Sequence, residues 1–305
     1  MEKSLKERVL ITLKNDKRFY ILSERYQEIL LKELSNIYKE NAYILNTDQA
    51  NIYDEYYNEF YHSITTGPLE EAYSKFVNPV LGLLKEKSVI NVLDIGSGMF
   101  VNSGVLAYEL LKLGKSVNII SVDKKIPHFI ALNHDSDEVR YVLYKNNFYI
   151  NSKNLNWQVV LEDARALKTN MMFDIILHDG FSPYRNPSLW TLDFLYLLYK
   201  NIKEEGIWIS YTSNKSVQSS LSFLNFKIDF IAPVGRKRPS IMALKTPKHK
   251  SNIDFQNPYA IPMRDITLNT DEEEIISDYF IRVYLLKSKY YSPSKDCSSS
   301  IKDFT

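Results

Sequence analysis

Four aspartates each follow an apolar segment of this chain, and carboxylates in that position can bind a ligand. They are Asp94, Asp123, Asp163 and Asp179. In open α/β sheets, ligands bind at the carboxyl ends of the strands. A carboxylate at Asp123 can bind a ribose diol there, and Asp163 or a neighbouring backbone amide can meet an adenine edge. One such acid is more often a helix cap than a ligand, but the four together favour a nucleoside site.

A glycine turn follows the first of these apolar segments. The sequence DIGSG, residues 94–98, joins a predicted strand to a predicted helix. Glycine lets the backbone approach a ligand closely, and a helix amino terminus favours a carboxylate or phosphate. A dinucleotide fingerprint would be GxGxxG, whereas this chain has GSGMFV without the third glycine. The spacing alone therefore permits NAD as well as other nucleoside cofactors.

The fourth acid, Asp179, lies in the stretch DIILHDGFSPYRNPSLW, residues 174–190. The apolar residues Ile175–Leu177 predict a buried strand, and Gly180 predicts a turn directly after Asp179. The carboxylate would therefore lie on a tight loop with Phe181 beside it, where a substrate can come close. The alternative is that Asp179 only caps the following turn.

Alternating strands and helices must position these acids. From residue 88 the sequence predicts five strands, SVINVLD, SVNIISVD, WQVVLED, FDIILH and IWISYTS, with helices closed by Gly114 and Gly206. Two further strands surround a basic loop in FKIDFIAPVGRKRPSIMALK. This order predicts a doubly wound sheet followed by a terminal strand pair. Helices are also predicted over residues 1–42, 69–84 (with a kink or boundary at Pro79), 214–224 and 271–287, and a hairpin turn over residues 46–51.

The composition is that of an ordinary soluble globular protein, with 45% apolar and 25% charged residues. The net charge of +1 gives no general attraction to nucleic acid, so an RNA contact requires a local basic patch. A single cysteine, Cys297, and an amino terminus too charged for a signal peptide favour a reducing cytoplasm. No apolar segment approaches the length of a membrane span, and the histidines show no metal spacing. We therefore expect a cytoplasmic protein without a membrane or metal partner.

The order of the glycine turn and the acids resembles that of the class I S-adenosylmethionine methyltransferases. Within it, HDGFSPYRNPSLW closely resembles the D-[AG]-F-[SA]-P-x-x-N-P-x-[LM]-W signature of the MnmC-type tRNA methyltransferases. The segments SVDKKIP, LEDARAL, WISYTSN, VGRKRP, YHSITTGPLEEAYSKFV and YAIPMRDITL are similar to further motifs of that family. Together they span residues 53–268. The chain departs from the family pattern where Met99 and Phe100 replace Thr and Gly in the glycine turn.

This resemblance implies an α/β fold of the class I methyltransferases, a Rossmann-like doubly wound sheet with a terminal antiparallel strand. We expect the chain to divide into an N-terminal helical and hairpin extension (1–60), a methyltransferase domain (61–250) and a C-terminal extension (251–305). The resemblance also implies an enzyme that uses S-adenosylmethionine and tRNA. Because the sequence has no second glycine-rich βαβ unit, we expect a monomeric, stand-alone enzyme without the FAD domain of other members. The expected reaction methylates the aminomethyl group of 5-aminomethyl-(2-thio)uridine at the wobble position of the anticodon.

Three sets of candidate site residues follow from the resemblance. In the catalytic set, Asp179 would orient the amine and stabilise its developing charge, and Phe181 and Tyr211 would pack on the base or the sulfonium. Core packing is the alternative role of both aromatics. The cofactor-binding set is Asp94, Gly96, Gly98, Asn102, Asp123, Lys124, Asp163, Ala164 and Asp179. The RNA-binding set is Arg236, Lys237 and Arg238, which would contact phosphates, although such a triplet is often only a solvated loop.

Two other functions remain open. The first is an aminopropyltransferase of the same fold, since YNEFYHS loosely resembles a segment of those enzymes, although their G-G-G-D-G-G loop is absent. The second is a non-catalytic RNA-binding module with a degenerate cofactor pocket. The departures at Met99 and Phe100 favour that second alternative.

Overall fold

The computed structural model describes residues 42–44, 50–54, 59–63, 66–124, 153–183, 185–247, 260 and 262–265. The helix predicted over residues 271–287 lies outside them, and so does the helix predicted over residues 1–42 except for Ala42, which begins a strand. These described residues divide into two compact units, one within residues 1–90 and 96–162 and the other within 91–95 and 163–305. The division of the sequence at residues 60 and 250 stays a prediction.

A small antiparallel sheet precedes the main fold. It contains β1 (Ala42–Ile44), β2 (Ala50–Asp54) and β3 (Glu59–Phe60), in that order. Ile44 pairs with Ala50, which confirms the hairpin predicted between these strands.

Seven strands form the main sheet. They are β4 (Val89–Ile95), β5 (Ser116–Asp123), β6 (Leu155–Leu161), β7 (Phe173–His178), β8 (Ile202–Ser210), β9 (Phe226–Ile231) and β10 (Ser240–Lys245). The order across the sheet is β6-β5-β4-β7-β8-β10-β9. The pairs β5–β6, β4–β7 and β7–β8 are parallel, whereas β10 runs antiparallel to both β8 and β9. The predicted Rossmann-like sheet with a terminal antiparallel strand is confirmed.

The helices connect these strands. They are α1 (Pro68–Ala72), α2 (Asn78–Leu81), α3 (Val101–Lys112), α4 (Leu192–Asn201) and α5 (Lys215–Phe223), with short 3-10 turns at Ala164–Ala166 and Pro187–Trp190. Near the kink or boundary predicted at Pro79, a π turn, Tyr73–Val77, separates α1 from α2, and Pro79 lies in the first turn of α2. Proline lacks the N–H of an α-helical turn and its ring clashes with the carbonyl four residues earlier, so a wider turn relieves the conflict.

The helix predicted to run to Gly206 is wrong at its carboxyl end, because α4 ends at Asn201 and β8 begins directly after it. Ile202 pairs with Phe173, and the next regular pair is Ile207 with Ile175, so the intervening residues bulge out of the sheet. A Cβ on Gly206 would lie 2.6 Å from Cγ1 of Ile202. Gly206 therefore permits this bulge and does not close a helix.

A buried ion pair stabilises the beginning of the first compact unit. Glu71, in α1, contacts the ammonium of Lys75, and its Oε2 accepts the backbone N–H of Ser63 at 2.8 Å. Burial by itself raises the pKa of Glu71, but Lys75 and His62 more than offset this and lower that pKa from 4.5 to about 2. Because Nδ1 of His62 lies 3.7 Å from Oε2, beyond hydrogen-bond distance, we ascribe most of the lowering to Lys75.

Replacement of Glu71 should reveal this ion pair as a dependence of stability on pH. The folded-state pKa is depressed, so the carboxylate contributes stability above pH 4.5 and loses it as the pH falls towards 2. Glu71→Gln should lower the free energy of unfolding by about 3 kcal/mol at pH 7, and the deficit should shrink to about 1 kcal/mol at pH 3. Urea unfolding at both pH values measures it, with the exposed Glu70→Gln as control. A deficit independent of pH would contradict this assignment.

Candidate functional site

The glycine turn and the end of β5 come together in the first compact unit. Gly96 and Gly98 have left-handed backbones, with φ of 71° and 49°. The N–H of Gly96 donates to the carbonyl of Val122 at 3.0 Å, and the N–H of Gly98 donates to Oδ2 of Asp123 at 2.8 Å. Asp123 is half-buried and Lys124, just beyond it, is exposed. The carboxylate that the sequence places at a strand end thus lies against the glycine turn.

Tyr61 packs against this turn. A Cβ added to Gly98 would lie 2.7 Å from Cδ1 of Tyr61, so the ring leaves no room for a side chain at that position. Two residues after Tyr61, the backbone of Ser63 is bound by the buried carboxylate of Glu71. The sequence reasoning did not assign this role to Tyr61, although the residue begins the YHS motif quoted for the resemblance.

Met99 and Phe100, the two residues of the glycine turn that depart from the family pattern, are buried in the core. Phe100 has a left-handed backbone with φ of 59° directly before α3, and its ring packs edge-on against Trp157 at 6.1 Å between centroids. Met99 and Phe100 are both almost fully buried, with 3% and 1% of their surface exposed. Asn102, in the first turn of α3, is also buried. The two substitutions therefore change the packing behind the turn, which weakens the main argument for a degenerate pocket.

In the second compact unit, two further acids end neighbouring parallel strands. Asp94 pairs with Leu177 in the β4–β7 ladder, and Ile95 pairs with His178. The ladder continues one step beyond β7, because the N–H of Asp179 donates to the carbonyl of Ile95 at 2.8 Å. Asp94 is fully buried, whereas Asp179 is half-buried. The strand-end arrangement expected from the sequence is present for this pair.

Two side chains hold the backbone after Asp179. The hydroxyl of Tyr211 donates to the carbonyl of Gly180 at 3.0 Å, and Nε1 of Trp190 donates to the carbonyl of Phe181 at 2.7 Å. The approach is close, since a Cβ on Gly180 would lie 2.9 Å from Cδ1 of Leu189. We call residues 179–181 the catalytic loop from here on, after the catalytic role that the sequence analysis predicts for Asp179. Tyr211, expected to pack on a ligand, binds this loop through its hydroxyl.

The histidine before Asp179 belongs to the core beneath the catalytic loop. His178 is completely buried and stacks on Trp190, with ring centroids 4.3 Å apart and planes at 13°. Its Nδ1 accepts Nε1–H of Trp208 at 3.2 Å. Burial lowers the pKa of His178 to about 3, so its imidazole is neutral and Nε2 carries the hydrogen. A group held in this state cannot accept a proton from a substrate near neutral pH.

The carboxylate of Asp163 is occupied by Arg165. Oδ2 of Asp163 accepts hydrogen bonds from Nη2 and Nε of Arg165 at 2.6 and 3.0 Å. Oδ1 of Asp163 accepts a hydrogen bond from the backbone N–H of Arg165 at 2.9 Å. Arg165 also donates Nη1 to Oδ2 of the buried Asp265 at 3.1 Å. Of the two possibilities for an adenine contact, this favours a backbone amide near Ala164 over the carboxylate of Asp163. Sequence reasoning missed Arg165 and Asp265, although both lie in motifs quoted for the resemblance.

The basic triplet is divided by its environment. Lys237 and Arg238 are exposed in the loop between β9 and β10, whereas Arg236 is half-buried. The guanidinium of Arg236 contacts the carbonyl of Tyr211 and donates to the carbonyl of Pro239 at 2.8 Å. We therefore place the predicted phosphate contacts on Lys237 and Arg238 alone.

Among the residues that the structure describes, no group of three or more His, Cys, Asp or Glu side chains could hold a metal ion. No helix among these residues is long and apolar enough to cross a membrane.

Comparisons with known proteins agree with this fold. A family model described as S-adenosyl-L-methionine-dependent methyltransferase matches residues 136–246. The crystal structure of MnmC2 from Aquifex aeolicus is 32% identical and covers 92% of this chain and 99% of its own, with a TM-score of 0.62. An uncharacterized protein of Methanocaldococcus jannaschii is 32% identical over 90% of this chain and 80% of its own length. The chain belongs to the MnmC-type S-adenosylmethionine-dependent methyltransferases, and S-adenosylmethionine is its cofactor.

The name of one longer relative refers to the biosynthesis of a modified tRNA nucleoside. The tRNA 5-methylaminomethyl-2-thiouridine biosynthesis bifunctional protein MnmC of Campylobacter hominis is 24% identical over 63% of this chain. The chain spans 31% of the length of that protein.

The residues around the glycine turn fit this cofactor. The left-handed glycines leave backbone without side chains just before α3, and the half-buried Asp123 would supply the carboxylate predicted for a ribose diol. Asp123→Ala should therefore weaken S-adenosylmethionine binding by about 1.5–3 kcal/mol, the scale of a lost hydrogen bond to a charged group. Calorimetric titration measures it, with the exposed Glu162→Ala as a control for the loss of charge. Unchanged affinity in Asp123→Ala would exclude the assignment.

Proposed function

We propose that this methyltransferase methylates the aminomethyl group of 5-aminomethyl-(2-thio)uridine at the wobble position of tRNA in the cytoplasm. The observation that carries the proposal is the half-buried carboxylate of Asp179, on a backbone held by Tyr211 and Trp190 at the end of β7. The similarity to the Campylobacter and Aquifex proteins supports the choice of substrate.

The chemistry of an amine substrate suits a carboxylate in this place. The bound cofactor supplies a methyl group on a sulfonium, which passes to the amine nitrogen as positive charge moves from sulfur to nitrogen. The amine must be neutral to attack, and deprotonation of an alkylammonium with pKa near ~10 costs roughly 4 kcal/mol at pH 7. Asp179 is too weak a base to do this outright, but it can orient the neutral amine and stabilise the ammonium that forms.

The other roles follow from the positions of the residues. Phe181, half-buried in the catalytic loop, offers an aromatic face to the base, and Tyr211 holds the loop. Lys237 and Arg238 contact the phosphates of the anticodon region. The proposed cofactor-binding residues are Asp94, Gly96, Gly98, Asn102, Asp123, Lys124, Asp163, Ala164 and Asp179, with Asp163 acting through the position of its neighbouring amides.

The proposal is tested by measuring which nucleoside of tRNA gains a methyl group. Transfer RNA that carries 5-aminomethyl-(2-thio)uridine is incubated with the enzyme and S-adenosylmethionine, digested, and analysed by mass spectrometry. The proposal expects a gain of one methyl group on that nucleoside and on no other. A methyl group on a different nucleoside would overturn the substrate, and transfer of an aminopropyl group to a polyamine without tRNA would overturn the reaction.

Asp179→Asn should separate catalysis from folding. An amide can still hydrogen-bond the amine, but it cannot balance the charge that arrives on nitrogen. We expect the variant to bind S-adenosylmethionine and tRNA nearly as the parental enzyme does, while the single-turnover rate falls by about 10²-fold or more. Asp193→Asn provides the same chemical change at a carboxylate that instead binds Arg264 and the backbone N–H of Asp265.

The melting curve distinguishes the alternative in which Asp179 is only a turn cap. A cap would lose stability on replacement and keep its rate per folded molecule. A variant that methylates at the parental single-turnover rate excludes the catalytic role, whatever its melting temperature.

The two exposed residues of the basic triplet, Lys237 and Arg238, should determine the salt dependence of tRNA binding. Replacing Lys237 and Arg238 together by Ala removes up to two phosphate partners. The slope of log K against log salt should fall by about 2 units, while the affinity for S-adenosylmethionine stays unchanged. Filter binding over a salt series measures the slope. A double variant with the parental slope would show that this loop does not contact tRNA.

A further inference from the structure

Arg236 is half-buried, whereas its two basic neighbours are exposed. Its Nη2 donates to the carbonyl of Tyr211, to the carbonyl of Pro239 at 2.8 Å and to Oγ of Ser240 at 3.2 Å. The centre of its guanidinium also lies 5.7 Å from the centroid of the Tyr211 ring, within cation–π range. A half-buried guanidinium bound in this way is held against the protein and does not extend towards a phosphate.

Tyr211 connects this guanidinium to the catalytic loop. Its backbone carbonyl and its ring both contact Arg236, and its hydroxyl donates to the carbonyl of Gly180 at 3.0 Å. Its ring also meets Trp190 edge-on at 6.0 Å, and Trp190 donates to the carbonyl of Phe181 at 2.7 Å. Arg236 therefore fixes the residue that binds the backbone directly after Asp179.

We propose that Arg236 is a positioning residue that holds the catalytic loop through Tyr211, and that it is not a phosphate ligand. The proposal rests on the proposed catalytic role of Asp179. It gives the basic loop two functions: Lys237 and Arg238 contact the RNA backbone on the outside, and Arg236 determines the geometry of the catalytic loop on the inside. A displacement of the loop would move the carboxylate of Asp179 away from the amine, and small misplacements are costly in catalysis.

Arg236→Lys distinguishes a positioning residue from a phosphate ligand, because it keeps the positive charge and removes the planar guanidinium. Lysine remains a good phosphate ligand, but a single ammonium does not reproduce the fixed, planar donors of arginine. At saturating tRNA the single-turnover rate of Arg236→Lys should fall about tenfold or more, with the parental tRNA affinity and salt slope. If Arg236 were a phosphate ligand, lysine would still bind the phosphate and the rate at saturation would stay parental; that result would overturn the proposal.

A second measurement does not depend on the substrate. Hydrogen exchange, read by mass spectrometry on peptides that contain residues 178–183, should be faster in Arg236→Lys than in the parental protein. Tyr211→Phe keeps the ring and removes only the hydroxyl, so it should accelerate exchange in the same peptides without emptying the core. Lys227→Ala, which removes an exposed cation from β9, should leave it unchanged.

The two measurements separate the possible failures. Parental exchange in both Arg236→Lys and Tyr211→Phe would overturn the positioning role even if tRNA is methylated as proposed. Accelerated exchange in these two variants, with no methylation of 5-aminomethyl-(2-thio)uridine by the parental enzyme, would support the positioning role and overturn the proposed substrate.

Discussion

A carboxylate that is partly withdrawn from water must find hydrogen-bond donors, and this requirement organises the strand ends of the protein. Asp123 receives the backbone N–H of Gly98, and Asp163 receives three donors of Arg165. Each of these contacts fixes a loop as well as a charge, because the donor belongs to the segment that follows a strand. An unpaired carboxylate at such a position would cost several times more than a hydrogen bond returns.

The loop that contains Asp179 is held in a different way. Its carbonyl groups, at Gly180 and Phe181, accept hydrogen bonds from Tyr211 and Trp190. The aromatic residues can supply such hydrogen bonds from within an apolar layer because each has a polar atom at the edge of a large apolar ring. His178 completes the layer as a neutral side chain, since burial lowers its pKa to about 3. The two carbonyl groups are thus bound by uncharged donors, a phenol and an indole, and Asp179 is the acid of this loop.

Much of this arrangement could be predicted from the sequence because it follows from local patterns. A short apolar segment, an acid and a glycine specify a strand end and a turn, so the position of Asp123 against the glycine turn was predictable. The contact of Arg165 with Asp265 was not, because it joins residues 100 positions apart and no periodic pattern marks it. The end of α4 was also missed, since Gly206 is as suitable for a bulged strand as for a helix end.

The basic triplet shows the same limit on a finer scale. In the sequence, Arg236, Lys237 and Arg238 are three equivalent cations on a loop. Only the return of the chain into β10 makes them different, because the first guanidinium then meets the carbonyl groups of Tyr211 and Pro239. An argument from composition or charge treats the three cations as equal, whereas their different burial predicts different roles for Arg236 and for the pair Lys237 and Arg238.

The substitution at Phe100 shows how far the glycine turn can vary. A left-handed backbone costs a residue with a side chain about 1–2 kcal/mol, and burying a phenylalanine ring contributes about 1.5–3 kcal/mol. Because the ring of Phe100 packs against Trp157 in the core, the second effect can offset the first. Gly98 has no such freedom, since any side chain there would collide with Tyr61. The turn thus tolerates a residue whose side chain can enter the core and requires glycine where Tyr61 covers the backbone.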